Sequence, residues 1–203
     1  MPTVTLSGSV SIPTTGFNYS GSASGDVGNH MSPVSEVAAA KTGTLSTRTD
    51  DNTGVVAAAS GHGASTGNKI DLFWDGGSRL AMDATVSGDN ITLDGGSGDV
   101  LPAAATAVTL MRHLAGASET IIFTPADLKA LVAYVPVQGA IHFYESDGTT
   151  YISSLQLDAG VAYTFIDGVV GDNPLTGESP AVVKMTHGDS TASRPVQAYV
   201  LHN

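Results

Sequence analysis

The sequence predicts a mainly β protein: two small barrel-like or sandwich-like units, one short amphipathic helix and an extended N-terminal arm. Three observations carry this expectation. Hydrophobic residues make up 41% of the 203, enough for a sizeable core, and they are mostly Ala, Val, Leu and Ile with Thr, Ser and Gly filling much of the rest. β-branched residues suit pleated surfaces. Clusters of Gly, Asp and Asn return every roughly 8–12 residues, the turn spacing of small all-β domains, and between them apolar residues alternate with period two.

Residues 1–42 form the arm. Val4, Leu6, Val10 and Ile12 describe one extended strand ending at Pro13, and Phe17 and Tyr19 are the large side chains that follow. A segment so rich in Ser, Gly and Thr is either a flexible tail or an arm ordered by a neighbouring subunit through strand addition. In the second case these six residues are its assembly contacts.

Residues 43–113 form the first unit, a small barrel. Asp50-Asp51-Asn52-Thr53-Gly54 is a turn cluster, and Val55 to Ala59 returns as a strand. Ser60-Gly61-His62-Gly63 turns again before Lys69 to Trp74, where Ile70, Leu72 and Trp74 share one face. Asp75-Gly76-Gly77 leads to Arg79–Met82, Ser87-Gly88-Asp89-Asn90 joins Thr85-Val86 to Ile91–Leu93 as a hairpin, and Thr106 to Met111 is a further strand.

Residues 114–203 form the second unit, a sandwich packed on the helix. Thr124 reads as an N-cap, Pro125 as the first helical residue and Asp127 as a first-turn acid. Leu128, Leu131, Val132 and Val135 fall at i, i+3, i+4 and i+7, so a helix is expected over about 124–135, ended by Pro136. Strands follow at Ala140–Tyr144, Thr150–Leu157, Val161–Ile166, Ala181–Met185 and Pro195–Leu201.

Charge narrows the function classes. Only 13% of residues are charged, with 8 Lys plus Arg against 19 Asp plus Glu and a net charge of −11. This is not the footprint of a nucleic-acid reader, and anionic lipid would repel it. There is no Cys, which excludes disulfides, thiolate metal sites and cysteine nucleophiles. The first residues carry no secretory signal and no apolar run reaches a membrane span, so a soluble product made in the cytoplasm is expected.

Candidate chemistry is sparse. Asp94-Gly95-Gly96-Ser97-Gly98-Asp99 offers two carboxylates and bare carbonyls to a hard cation, so Asp94 and Asp99 are candidate calcium ligands set against a plain glycine-rich loop. The six His, at 30, 62, 113, 142, 187 and 202, show no zinc-type helical pair; His142 is read as a half-buried core residue, and His62 and His187 as turn residues bonding local backbone. No nucleophile elbow and no phosphate-cradling loop occurs, so no catalytic residue and no cofactor is assigned. Paired carboxylates leave glycosidase chemistry open, though a chain that is 6% aromatic offers few sugar platforms.

The stretch Ser60 to Leu72, with its His62-Gly63 and Gly67-Asn68, resembles the His-Gly-x-x-x-Gly-Asp-x-Val pattern of small β-barrel modules in phage tail fibres and tailspikes, with Asn68 where Asp is common. Ile91 to Val108, Asn173-Pro174-Leu175 and His187-Gly188-Asp189-Ser190-Thr191-Ala192 likewise resemble β-rich structural proteins of tailed-phage virions. The resemblance implies a non-enzymatic virion protein, either a capsid decoration or a tail component, that forms a trimer or hexamer with copies of itself and meets major capsid or tail proteins. The rival expectation is a carbohydrate-binding or adhesin module, calcium-assisted through Asp94 and Asp99.

Overall fold

A computed structural model describes residues 3–12, 17–26, 29–31, 34–113, 118–120, 125–168, 171–175 and 182–202; for the strands before residue 37 it describes the backbone. The chain is mainly β, as its alternation predicts. Two long strands, β1 (Thr3–Ile12) and β2 (Phe17–Asp26), pair antiparallel over ten residues and with no other described strand. Then come β3 (Asn29–Met31) and β4 (Val34–Val37).

Six strands close a barrel: β5 (Lys41–Arg48), β6 (Gly54–Ala58), β7 (Lys69–Trp74), β8 (Gly77–Ser87), β9 (Asn90–Asp94) and, after the short β10 (Ser97–Gly98), β11 (Ala107–Arg112). Their order is β8-β7-β11-β5-β6-β9, and β9 returns to β8, so no barrel edge is left open. Leu45, Val56, Ile70, Leu72, Met82, Ile91, Leu93 and Leu110 fill the interior, and Trp74 packs against them. Ile70 and Leu72 therefore point inward as alternation requires, and Asp71 between them points out.

The second unit has two sheets. One holds β12 (Ser118–Thr120), β17 (Val182–His187), β14 (Gly139–Tyr144) and β15 (Tyr151–Leu157) in that order. The other holds β16 (Tyr163–Ile166), β13 (Leu128–Tyr134) and β18 (Arg194–His202), to which β3 and β4 both add. The end of the expected arm thus belongs to this sheet. Ile141, Phe143, Val183 and Met185 meet Leu131, Ala133 and Ala198 between the sheets. The other face of β14 and β17 meets the barrel wall, so both strands are buried throughout.

The helix expected over 124–135 is a correction. Pro125–Asp127 makes one 3-10 turn and Leu128–Tyr134 is strand β13, central between β16 and β18. Thr124, the expected N-cap, lies outside the described residues. The cause is a β-bulge. The β13–β18 register shifts between Leu128 and Ala130, and one extra residue puts Leu128 and Leu131 on the same buried face. Ala133 and Val135 continue that face with period two. A bulge followed by a strand imitates the i, i+3, i+7 pattern of a helix, and β-branched Val132 and Val135 suit the strand.

Candidate functional site

Asp71 leaves the barrel wall and enters the seam against β14 and β17. Its exposure is 0%, as is that of His142, and His113 is 1% exposed. His113 follows β11, His142 lies in β14 and Thr186 in β17, so three separate segments converge on the one carboxylate of β7. Opposite Asp71 the β7–β8 register shifts, so that Leu80 and Ala81 together face one residue. Ala81 sits in the left-handed region (φ 58°), and its N–H donates to Asp71 Oδ1 at 2.8 Å. A side chain with a Cβ gives up about 1–2 kcal/mol there, and the buried carboxylate holds the bulge in place.

Donor accounting assigns the protons. His113 Nε2 lies 2.7 Å from Asp71 Oδ1, and His142 Nε2 lies 2.7 Å from Oδ2. Both ring nitrogens carry hydrogen, because a carboxylate only accepts. His142 Nε2 is also 2.9 Å from Thr186 Oγ1, whose hydroxyl donates to Oδ2. On the far side of each ring Nδ1 accepts, from the Tyr144 hydroxyl for His113 and from Ser154 Oγ at 2.6 Å for His142. Tyr151 in turn donates to Ser154 at 2.9 Å. Every hydrogen bond in the chain runs toward Asp71, which receives four.

The electrostatics agree with that direction. Burial alone would raise the Asp71 carboxyl, but the imidazoles beside it and their hydrogen bonds hold it well below the usual carboxylate range. Burial, reinforced by His113 and Lys184, pushes His142 down to about 4 against the pull of Asp71. The two rings stack at 3.6 Å with planes 18° apart, a poor arrangement for two cations. Burial and the Asp71 carboxylate raise the Tyr144 phenol, which therefore remains a donor.

Compared with known protein families, with curated proteins and with solved structures, the chain finds no match. The chemistry of the centre must be read from its geometry.

Asp71, His113 and His142 form the one group of three metal-type ligands found among the described residues. Two imidazoles and a carboxylate suit zinc or iron by type. The geometry favours hydrogen bonds. Near-parallel rings aim their Nε2 lone pairs side by side, and 2.7 Å is closer than the roughly 3.3 Å between neighbouring ligands of a tetrahedral ion. Ser154, His142 and Asp71 also have the connectivity of a nucleophile, base and carboxylate. Ser154, however, lies directly across from His142 in the middle of a strand pair, and its hydroxyl is engaged by Tyr151. A base held at about 4 is poorly matched to neutral pH.

The sites expected from sequence are dispersed. The Asp94 carboxylate accepts from Thr53 Oγ1 at 2.7 Å, and Asp99 Oδ2 accepts from the Ser78 N–H at 3.0 Å. The carbonyls of Gly95, Gly96 and Asp99 all accept from the Arg79 guanidinium, at 2.6, 3.2 and 2.9 Å. The loop does wrap a cation, and that cation is Arg79. His62 and His187 bond nearby backbone N–H groups as expected, at Ala64 and Asp189. His142, read as half-buried, is fully buried. The arm residues Val4, Leu6, Val10 and Ile12 lie in β1, and Phe17 and Tyr19 in β2, with side chains outside the described set. Among the described residues no helix is long and apolar enough to cross a membrane.

Proposed function

We propose that this is a non-enzymatic structural protein that assembles with copies of itself, its β1–β2 ribbon supplying the contact. The carrying observation is the register of that ribbon. Leu6 pairs with Ala23, Val10 with Tyr19 and Ile12 with Phe17, so by period two Val4, Leu6, Val10, Ile12, Phe17 and Tyr19 fall on one face. The opposite face is Thr3, Thr5, Ser7, Ser9 and Ser11 with Asn18, Ser20, Ser22, Ser24 and Asp26. An amphipathic two-stranded ribbon that pairs with no other described strand is marginal by itself in water. A second copy of the same ribbon supplies both a strand partner and a matching apolar face.

The buried centre fits the same reading. It is closed to solvent and its donors are satisfied, so it ties the barrel to the sandwich, as a rigid subunit requires. The resemblance of the Ser60–Leu72 turn to phage β-barrel modules supports a virion component, and the scarcity of charge suits a protein buried in large interfaces.

Light scattering across a concentration series tests the proposal. The expected mass is that of a trimer or hexamer, and Val10→Asp with Ile12→Asp should give monomers whose Trp74 emission is unchanged. A wild-type monomer at every concentration sinks self-assembly. An unaltered oligomer in the double variant removes the ribbon from the contact.

A further inference from the structure

Beyond self-assembly, we infer that the buried centre is an acid-released latch: it holds the barrel on the sandwich at neutral pH, and protonation of His142 lets the two units part while each stays folded. Each unit has an apolar core of its own. The apolar contact between them is small. Met111 reaches from β11 into the sandwich core, and Phe73, Leu80 and Ala140 form a cluster of three. The polar attachment is concentrated on the centre. Asp71 and His113 come from the barrel side and meet His142, Thr186 and Tyr144 of the sandwich, and Thr109 Oγ1 adds a bond to the Gly188 carbonyl at 2.8 Å.

This centre has no place for another proton. Both Nε2 atoms already donate to Asp71, and both Nδ1 atoms already accept from a hydroxyl. A proton added to His142 makes a cation stacked 3.6 Å from the second ring. The titratable and charged groups around it are Asp71 and Lys69 of β7, His113 after β11, Tyr144 of β14, Tyr151 of β15 and Lys184 of β17. Asp71 favours the cation, His113 and Lys184 oppose it, Lys69 is paired with Asp83 at 2.8 Å, and both phenols stay neutral. Burial joins the opposition and holds His142 near 4. In the open form the ring meets water and returns to about 6.5, so the open form binds the proton first. Docking is therefore at full strength above pH 6.5 and weakens roughly 300-fold as pH falls to about 4. A route inward exists. Ser154 hands its hydrogen to His142 Nδ1, Tyr151 refills Ser154, and the exposed Ser97 of β10 hydrogen-bonds the Tyr151 hydroxyl. One proton enters from water and each hydroxyl ends with the hydrogen it began with.

The absence of Cys makes the units easy to label. The full chain carries Asp89→Cys in the β8–β9 turn and Asp158→Cys after β15, both exposed positions, each spin-labelled, and is diluted with unlabelled chain. Pulsed electron resonance reads the distance between labels from about pH 7.5 to about pH 4. Far-UV circular dichroism reads the strands, and imidazole nitrogen NMR reads His142. The expected result is a narrow distance distribution at about pH 7.5 and a longer, broader one at about pH 4. Dichroism should hold, the change should reverse on neutralisation, and His142 should take up its proton over the same range. A distance that holds at about pH 4 overturns the inference. So does loss of the strand signal together with the distance, which is whole-chain unfolding, or a separation already complete while His142 is neutral.

Discussion

Replacing Asp71 by Ala tests the reading of the buried centre most directly. The carboxylate receives the Ala81 amide, two imidazole N–H groups and the Thr186 hydroxyl. After truncation two of these find other outlets. The hydroxyl can rotate, and His142 Nε2 keeps Thr186 Oγ1 at 2.9 Å. The Ala81 amide and one nitrogen of His113 remain orphaned, each at about 1–3 kcal/mol. A water entering the polar void and relief from burying a charge offset part of that. The net loss is about 3–4 kcal/mol, a large fraction of the roughly 5–15 kcal/mol typical of folded proteins. With a urea slope of about 2 kcal/mol/M, the midpoint should fall by roughly 1.5–2 M. Asp71→Asn should lose about half as much, because His142 can switch tautomer, donate to Ser154 from Nδ1 and accept the new amide at Nε2. The assay is urea unfolding followed by Trp74 emission and far-UV circular dichroism. A loss under about 1 kcal/mol for the Ala variant, or equal losses for Ala and Asn, would refute the donor accounting. Transitions that separate between the two probes would show that the centre does not couple barrel to sandwich.

Acid should weaken the fold in a defined window. His142 is held near 4 when folded and returns to about 6.5 when unfolded, so the unfolded chain binds the extra proton and stability falls from pH 6.5 toward 4, by on the order of 3 kcal/mol. Asp71, held lower still, adds a second loss below about pH 4 as the unfolded carboxyl protonates first. Urea midpoints measured across this range check both signs, and a midpoint that rises on acidification contradicts them. Gly139→Ala should cost about 1–3 kcal/mol, because its Cβ would lie 2.5 Å from the Thr186 carbonyl; an unchanged melting temperature would show that β14 and β17 are not in close contact there. Exhaustive dialysis against chelator should leave the melting temperature unmoved, since Arg79 fills the Asp94–Asp99 loop, and a fall would restore a metal to that loop. A fluorophosphonate probe should leave Ser154 unmodified, and stoichiometric labelling there would turn the relay of Ser154, His142 and Asp71 into an active site.

Much of the barrel is readable from local pattern because hairpins are local. Ile70, Leu72 and Trp74 alternate, Ser87-Gly88-Asp89-Asn90 turns, and β8 and β9 pair across it. The sandwich is less readable where a strand is buried on both faces, since β14 and β17 then lose alternation. β13 misleads for another reason, its bulge borrowing the spacing of a helix. The buried centre is the least legible part. Thr186 reaches Asp71 across 115 residues and His113 across 42, and no window on the sequence spans such separations.

One local signal did exist. Asp71 stands inside Ile70-Asp71-Leu72-Phe73-Trp74, where its four neighbours in the strand are apolar. On a solvent-facing barrel wall that carboxylate needs no partner. If the wall is covered, it must find donors, because an unpaired buried charge is not tolerated. Phe73, two residues along the same outward face, would be out of place on an open wall; its burial with Leu80 and Ala140 shows what covers it. An outward-facing Phe beside an outward-facing Asp therefore predicts both a second layer and buried donors within it. Scattered histidines in later strands are the side chains best suited to that role, being able to donate to a carboxylate while remaining neutral.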